Sequence, residues 1–258
     1  MANSQVNEKA KAIEIKANSK KEFFLLHGYT GSPTDFNQLG KYLNKRFNAN
    51  VKIIRLKGHG ERIENLKGLE YKDFLLQANK ELKKDIKKGM KIVLGGVSIG
   101  SFIALQLSTK YHIQGLLLIS TPYKPRYLTA IVSFLEPIIF KKHWKKPVPK
   151  YQLERSKDAF YYDASITGLK IVKQAKRAMK PLWKKVAAPC FIFHVAQEVI
   201  FHPDSAEIIK NKICSKVKKV SIFKSHGRLD HNPFFSPLSE DIYKTIGDFV
   251  EKNKLFNP

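Results

Sequence analysis

Cysteine is scarce in this sequence: its 258 residues include only Cys190 and Cys214. The first falls in an apolar run typical of a strand and the second in a stretch of helical period, so they indicate no disulfide framework. A reducing compartment is therefore expected. The spacing of His, Cys and Asp resembles no zinc or iron site, and we expect neither a metal nor another cofactor.

Long apolar segments are also absent. Charges such as Glu8, Lys9 and Lys11 interrupt the first twenty residues, which leaves no apolar core for a signal peptide. No later window is long and apolar enough to span a bilayer. The sequence thus predicts a soluble, cytoplasmic protein.

Acidic residues are few beside basic ones: 22 Asp and Glu against 47 Lys and Arg give a formal net charge of +25. A field of this size attracts nucleic acids and anionic membranes. The lysines are scattered over nearly every polar face, however, with no Arg-rich arm and no alternation of aromatic and basic residues. We therefore expect no specific nucleic-acid partner and interpret the charge as a solvated surface.

The sequence does contain an alternation of short apolar runs with longer segments of helical period. This pattern predicts an α/β fold with a mostly parallel central sheet flanked by helices. We expect residues 1–258 to form a single domain with one large core. The predicted strands are 12–17, 22–26, 51–56, 91–97, 115–120, 190–196 and 219–223, and the predicted helices are 34–47, 71–88, 98–111, 204–212 and 238–251.

Residues 121–189 break this alternation, with no convincing strand and five prolines in their first half. We interpret them as a helical cap inserted above the carboxyl ends of the strands, where ligands bind in α/β folds. The apolar run 127–140 is a candidate lining for an acyl pocket. The stretch after it is basic and contains a tryptophan, so a weak contact with an anionic membrane surface is a further hypothesis. The alternative is a helix packed on the core with its lysines in solvent.

Residues 96–100 read Gly-Val-Ser-Ile-Gly and lie where a predicted strand gives way to a predicted helix. A nucleophile elbow has this form, because a serine in a sharp turn needs glycine neighbours and the helix N-terminus favours developing negative charge. A phosphate-binding turn is the alternative, but the glycine spacing lacks the dinucleotide fingerprint and no P-loop lysine follows. Ser98 is the predicted nucleophile.

Residues 27–31, His-Gly-Tyr-Thr-Gly, follow an earlier predicted strand. Such a turn can aim a backbone N–H group at the oxyanion of acyl transfer, which requires two donors. The expected pair is the N–H of Tyr29 and that of Ile99, the residue after the nucleophile. His59, in a Gly-His-Gly turn, is expected to shape its loop, and a place on the rim of the pocket is the alternative.

These two motifs, the turn 57–60 and the stretch 203–206 (Pro-Asp-Ser-Ala) together resemble small esterases of the α/β-hydrolase superfamily, such as bacterial carboxylesterases and monoacylglycerol lipases. The resemblance covers most of the chain and is weakest over 121–189. It implies the α/β-hydrolase fold, a small acyl ester as substrate, and a triad in the chain order serine, acid, histidine.

The resemblance places the acid shortly before Pro203. Counting back from this proline puts Glu198 where the family has an aspartate, and either carboxylate can orient an imidazole. Asp204 is the alternative, although its position after a proline and before a helical run favours a carboxylate at a helix N-terminus.

The expected base is a histidine after the last strand. His226 is preferred because it follows that strand closely, and His231 is the alternative; a solvated loop histidine is the ordinary interpretation of each.

The sequence thus predicts a serine ester hydrolase of the carboxylesterase or monoacylglycerol lipase type. A lysophospholipase or acyl thioesterase of the same fold, or a non-catalytic pseudohydrolase that binds a hydrophobic ligand, stays open, and the oligomeric state is not predicted.

Overall fold

The structure is a computed structural model that describes residues 6–127, 129–131, 144–145, 163–164, 167–224, 232–236 and 238–257. The strands are β1 (Ile13–Ile15), β2 (Lys21–Leu26), β3 (Asn50–Ile54), β4 (Lys91–Val97), β5 (Gly115–Ile119), β6 (Trp144–Lys145), β7 (Asp163–Ala164), β8 (Cys190–Val195) and β9 (Lys218–Phe223). The longer α-helices are α1 (Asn37–Phe47), α2 (Tyr71–Lys87), α3 (Ile99–Ser108), α4 (Thr167–Met179), α5 (Asp204–Lys212) and α6 (Ser239–Lys252).

Seven strands form the central sheet in the order β1-β3-β2-β4-β5-β8-β9. Only β1 runs antiparallel, against β3, and the other neighbours in this sheet pair in parallel. The predicted mostly parallel sheet is therefore confirmed. From β2 the chain crosses first to β3 on one side and then to β4 on the other, so the strand order reverses beside β2. In open α/β sheets, ligands bind at the carboxyl ends of the strands at such a point.

Apolar side chains cover both faces of the sheet. Alternate residues of β2 show the division: Phe24 and Leu26 belong to one core cluster, and Phe23 and Leu25 belong to the other. The first cluster is completed by buried residues of α2, α3, α4 and α5, and the second by those of α1 and α6. Burial on both faces explains why these strands read as continuous apolar runs in the sequence.

The described part of the predicted cap includes α4, which packs on α2 and α3. Ile171, Ala175 and Met179 of α4, together with Trp183, are buried in the first core cluster. This end of the segment is therefore continuous with the core. The apolar run 127–140 lies mostly outside the described residues.

Two smaller predictions were wrong. Residues 121–189 were expected to contain no strand, yet β6 and β7 pair there in antiparallel fashion. Two residues on each strand are too few to show a period-2 pattern. Cys214 was expected in a helix, but α5 ends at Lys212 and Cys214 is exposed beyond it. Both cysteines are free.

No helix in the described ranges is both long enough and apolar enough to pass through a lipid bilayer.

Candidate active site

Ser98 occupies the sharp turn between β4 and α3. Its backbone has φ 54° and ψ −119°, a conformation that residues with a side chain rarely adopt. Glycine neighbours make the turn feasible: a Cβ on Gly96 would lie 2.2 Å from the backbone of Gly100, and one on Gly100 would lie 2.1 Å from the carbonyl oxygen of Leu26. The strand–turn–helix context of a nucleophile elbow is therefore present.

Hydrogen bonds hold this turn in place. The Ser98 N–H donates to the Ile119 carbonyl at the end of β5, at 2.9 Å. From the first turn of α3, the buried Ser101 hydroxyl donates to the Gly96 carbonyl at 2.6 Å and also lies 3.1 Å from the Ile119 carbonyl. Ser101, which the sequence analysis did not single out, thus joins the elbow to two strands.

The turn after β2 lies directly against the elbow. A Cβ on Gly28 would lie 3.3 Å from the Cβ of Ser98, so this close approach favours glycine. Tyr29 follows Gly28, and Ile99 is the first residue of α3, where N–H groups have no acceptor within the helix. The two predicted oxyanion donors therefore belong to segments that meet at Ser98.

Two buried histidines fix this turn. His27 Nε2 accepts from the Leu56 N–H at 3.0 Å, and its Nδ1 lies 2.9 Å from the Gly28 carbonyl, so these partners place the proton on Nδ1. His59 repeats the pattern, since its Nε2 accepts from the Thr30 N–H at 3.2 Å and its Nδ1 lies 3.0 Å from the Lys57 carbonyl. Burial, and then the neighbouring His59 ring, lowers the pKa of His27 well below its ordinary value, so His27 is neutral. The predicted loop-shaping role of His59 is confirmed.

Glu198 lies in the turn after β8 and is fully buried. One carboxylate oxygen, Oε1, accepts from the N–H groups of Ile200 and Phe201, at 3.1 and 2.7 Å. The other, Oε2, lies 3.2 Å from Nε2 of His194, which is 1% exposed. The Arg126 guanidinium donates from Nε to the carbonyl of Glu198 itself.

Asp204, the alternative acid, has a different environment. It is exposed, is the first residue of α5 and pairs with the Lys124 ammonium at 2.6 Å. The hydrogen bond from Lys124 is the main reason that the pKa of Asp204 is lowered. The structure thus places Asp204 as the helix N-terminal carboxylate that its sequence position favoured.

The two candidate bases, His226 and His231, lie outside the described residues, which resume at Asn232 after Lys224. Ser98 follows β4 and Glu198 follows β8, and β5 separates these parallel strands. Both residues therefore lie at the carboxyl edge of the sheet. Assignment of Glu198 as the acid and of His226 as the base stays a prediction.

Arg126 and the contact of His194 with Glu198 were not predicted from the sequence. His194 lies four residues before Glu198, but the chain leaves β8 and turns between them, so spacing alone does not predict that the side chains meet. Arg126 lies about 70 positions before the turn that it holds, and no local pattern indicates such a contact.

Within the described ranges, no group of three or more His, Cys, Asp or Glu side chains is arranged to hold a metal ion.

Comparison with known proteins gives concordant matches. Over 237 residues the chain is 23% identical to a carboxylesterase of Bacillus subtilis (strain 168), covering 90% of this chain and 93% of that protein. It is similar to a structure of LipS and LipT, two metagenome-derived lipolytic enzymes, with a TM-score of 0.78, 18% identity, and coverage of 96% of this chain and 100% of that chain. A soluble variant of the monoglyceride lipase of Saccharomyces cerevisiae gives a TM-score of 0.77 and 12% identity, with 98% and 97% covered.

The strand order, the elbow at Ser98 and these structural likenesses define an α/β hydrolase, as the resemblance in the sequence implied. The family model Hydrolase_4, described as "Serine aminopeptidase, S33", matches residues 17–231. The chain belongs to this family.

Proposed function

We propose that the protein is a serine hydrolase that cleaves carboxylic esters through an acyl-enzyme on Ser98. The strained turn that presents Ser98 against the turn of Gly28 is the observation that carries this proposal. A backbone conformation this unfavourable persists only where the surroundings enforce it, and such positions concentrate at functional sites. The carboxylesterase and lipolytic relatives support an ester as the substrate.

In the proposed mechanism, the Ser98 hydroxyl oxygen attacks the ester carbonyl carbon while His226 takes its proton. The N–H groups of Tyr29 and Ile99 donate to the resulting oxyanion. The tetrahedral intermediate expels the alcohol, which receives the proton from His226, and leaves an acyl group on Ser98. Water, deprotonated by His226, then attacks this acyl group, and the carboxylic acid leaves as Ser98 regains its proton.

Glu198 is the proposed acid. Its carboxylate would accept the second N–H of His226, which fixes the tautomer of the imidazole and stabilises the imidazolium that forms. Full burial favours this role over the exposed Asp204, because a carboxylate in a low-dielectric site interacts more strongly with a nearby positive charge.

The cap is proposed to form one wall of the acyl site. A Cβ on Gly168, at the start of α4, would lie 2.9 Å from Cδ1 of Tyr29, so α4 begins directly beside the turn that carries the first oxyanion donor. An apolar cap at this position suits a medium acyl chain. A lysophospholipase or a thioesterase would share this chemistry and differ in the alcohol or thiol that leaves.

A panel of p-nitrophenyl esters with acyl chains of increasing length tests the proposal. The protein should hydrolyse at least one ester with an initial burst, and Ser98→Ala should abolish the burst and lower kcat about 10⁴-fold or more. Glu198→Gln keeps the size of the side chain and removes its charge, so it should lower kcat about 10³-fold or more.

The same panel separates the alternatives. Amide analogues of the best ester test the peptidase activity in the family description, and thioester and lysophospholipid substrates test the other leaving groups. A wild-type protein without turnover or burst on any of these substrates would contradict the proposal and favour a pseudohydrolase.

A further inference from the structure

We infer that His194 is a positioning residue that holds the carboxylate of Glu198 in the geometry required for catalysis. The inference deepens the proposed function and rests on it. It starts from one contact: Nε2 of His194 lies 3.2 Å from Oε2 of Glu198, and both side chains are at most 1% exposed. Because both groups are buried, solvent screens the interaction between this imidazole and this carboxylate only weakly.

The other nitrogen of the His194 ring lies against the main chain. Nδ1 is 3.1 Å from the backbone nitrogen of Val195 and 3.2 Å from the carbonyl oxygen of the same residue. His194 is the fifth residue of the six-residue strand β8, and its backbone is therefore fixed by the sheet. The sheet thus holds the ring in a fixed place against Glu198.

Glutamate needs such a support more than aspartate does. Its side chain has one more rotatable bond, so holding its carboxylate in a single position costs more conformational entropy. Two backbone N–H groups of the same turn hold Oε1. His194 approaches Oε2 from the strand, and contact at both oxygens fixes the carboxylate plane.

The main chain of the turn is held independently. The Arg126 guanidinium donates to the carbonyl of Glu198 and, at 2.9 Å, to that of Ala196. Because Arg126 already fixes the backbone, removal of the His194 ring should act on the carboxylate and leave the path of the turn intact.

Three single variants test the inference in the full-length protein. His194→Leu removes the N–H group and keeps an apolar side chain in the buried site. His194→Gln keeps an N–H donor near the position of Nε2. His202→Leu is the matched control, because His202 lies on the same turn, is partly exposed and contacts Asp204 rather than Glu198. The measurements are kcat and KM on the best ester, the rate of labelling by a fluorophosphonate, and the thermal midpoint.

His194→Leu should lower kcat and the labelling rate about 10-fold to 100-fold, with KM within about 2-fold of wild type, because the acid orients the base that activates Ser98 and takes no part in substrate binding. His194→Gln should recover activity to within about 5-fold of wild type, and His202→Leu should match wild type. A purely structural role would lower the thermal midpoint and reduce the active fraction, while the molecules that still fold would keep their kcat.

A double-variant cycle with Glu198→Asp sharpens the test. The shorter side chain withdraws its carboxylate from His194, so His194→Leu should lower kcat by less than about 3-fold in the Glu198→Asp background. Equal losses of kcat in both backgrounds would overturn the inference, as would wild-type kcat in His194→Leu. If the proposed function is wrong, the wild-type protein itself will show neither turnover nor labelling. That result would contradict both the ester hydrolase activity and the role of His194.

Discussion

Glu22 lies on β2 in the lining of a cavity of about 400 Å³ near the amino ends of β2 and β4, away from Ser98. It is 6% exposed, and its Oε1 accepts no hydrogen bond from any residue that the structure describes. Burial, and then the nearby Asp85 carboxylate, raises the pKa of Glu22 from 4.5 to about 7. We predict that Glu22→Gln makes folding stability less sensitive to pH.

The magnitude follows from the difference between the unfolded and folded pKa values. Well below pH 4.5 Glu22 is protonated in both states and has no effect. As the pH rises toward 7, the unfolded state releases this proton while the folded state retains it, so the free energy of unfolding falls. With about 1.4 kcal/mol for each pKa unit, the loss is about 1 kcal/mol at pH 5 and about 3 kcal/mol at pH 8.

Urea denaturation at pH 5, 6, 7 and 8 measures this effect. The stability of Glu22→Gln relative to wild type should rise by about 2 kcal/mol between pH 5 and pH 8. Glu14→Gln is the matched control: Glu14 lines the same cavity, but its pKa is lowered by its hydrogen bond with Lys16, so this variant should gain no stability as the pH rises. Parallel stability profiles for wild type and Glu22→Gln would refute the reasoning.

Three further variants probe the support of the elbow. Gly100→Ala places a Cβ against the Leu26 carbonyl and should destabilise the fold by about 3 kcal/mol or more in urea denaturation. Ser101→Ala leaves the buried Gly96 carbonyl without its hydroxyl donor and should cost about 1–3 kcal/mol by the same assay. His59→Leu removes the acceptor of the Thr30 N–H and should lower both stability, by about 1–3 kcal/mol, and kcat, because the neighbouring Tyr29 N–H shifts. Wild-type values for these variants would contradict the assigned contacts.

Periodicity in the sequence predicted most of the fold. Helix α5 runs over the predicted residues, and each predicted strand overlaps an observed one. The agreement has a physical reason, because both faces of the sheet are buried and every central strand must therefore be apolar. The elbow was predictable for a similar reason: only glycine fits at positions 96 and 100, two residues before and two residues after Ser98, and this pair of glycines is visible in the sequence.

Other parts of the site depend on contacts between distant residues. His194 is a single polar residue in the apolar run of β8, and nothing in that run shows that its ring meets Glu198. Arg126 reaches Ala196 and Glu198 across the fold, which requires the tertiary structure. Glu22 follows Lys21 at the start of β2, a charged pair that reads as solvent-exposed and gives no sign of a buried carboxylate without a hydrogen bond to Oε1.

Intact-protein mass spectrometry after incubation with a fluorophosphonate tests the central claim most directly. The account predicts one covalent adduct per chain, located on Ser98 by peptide mapping, with the adduct lost in Ser98→Ala. An adduct on another serine, or an unmodified wild-type protein that is folded by circular dichroism, would contradict it.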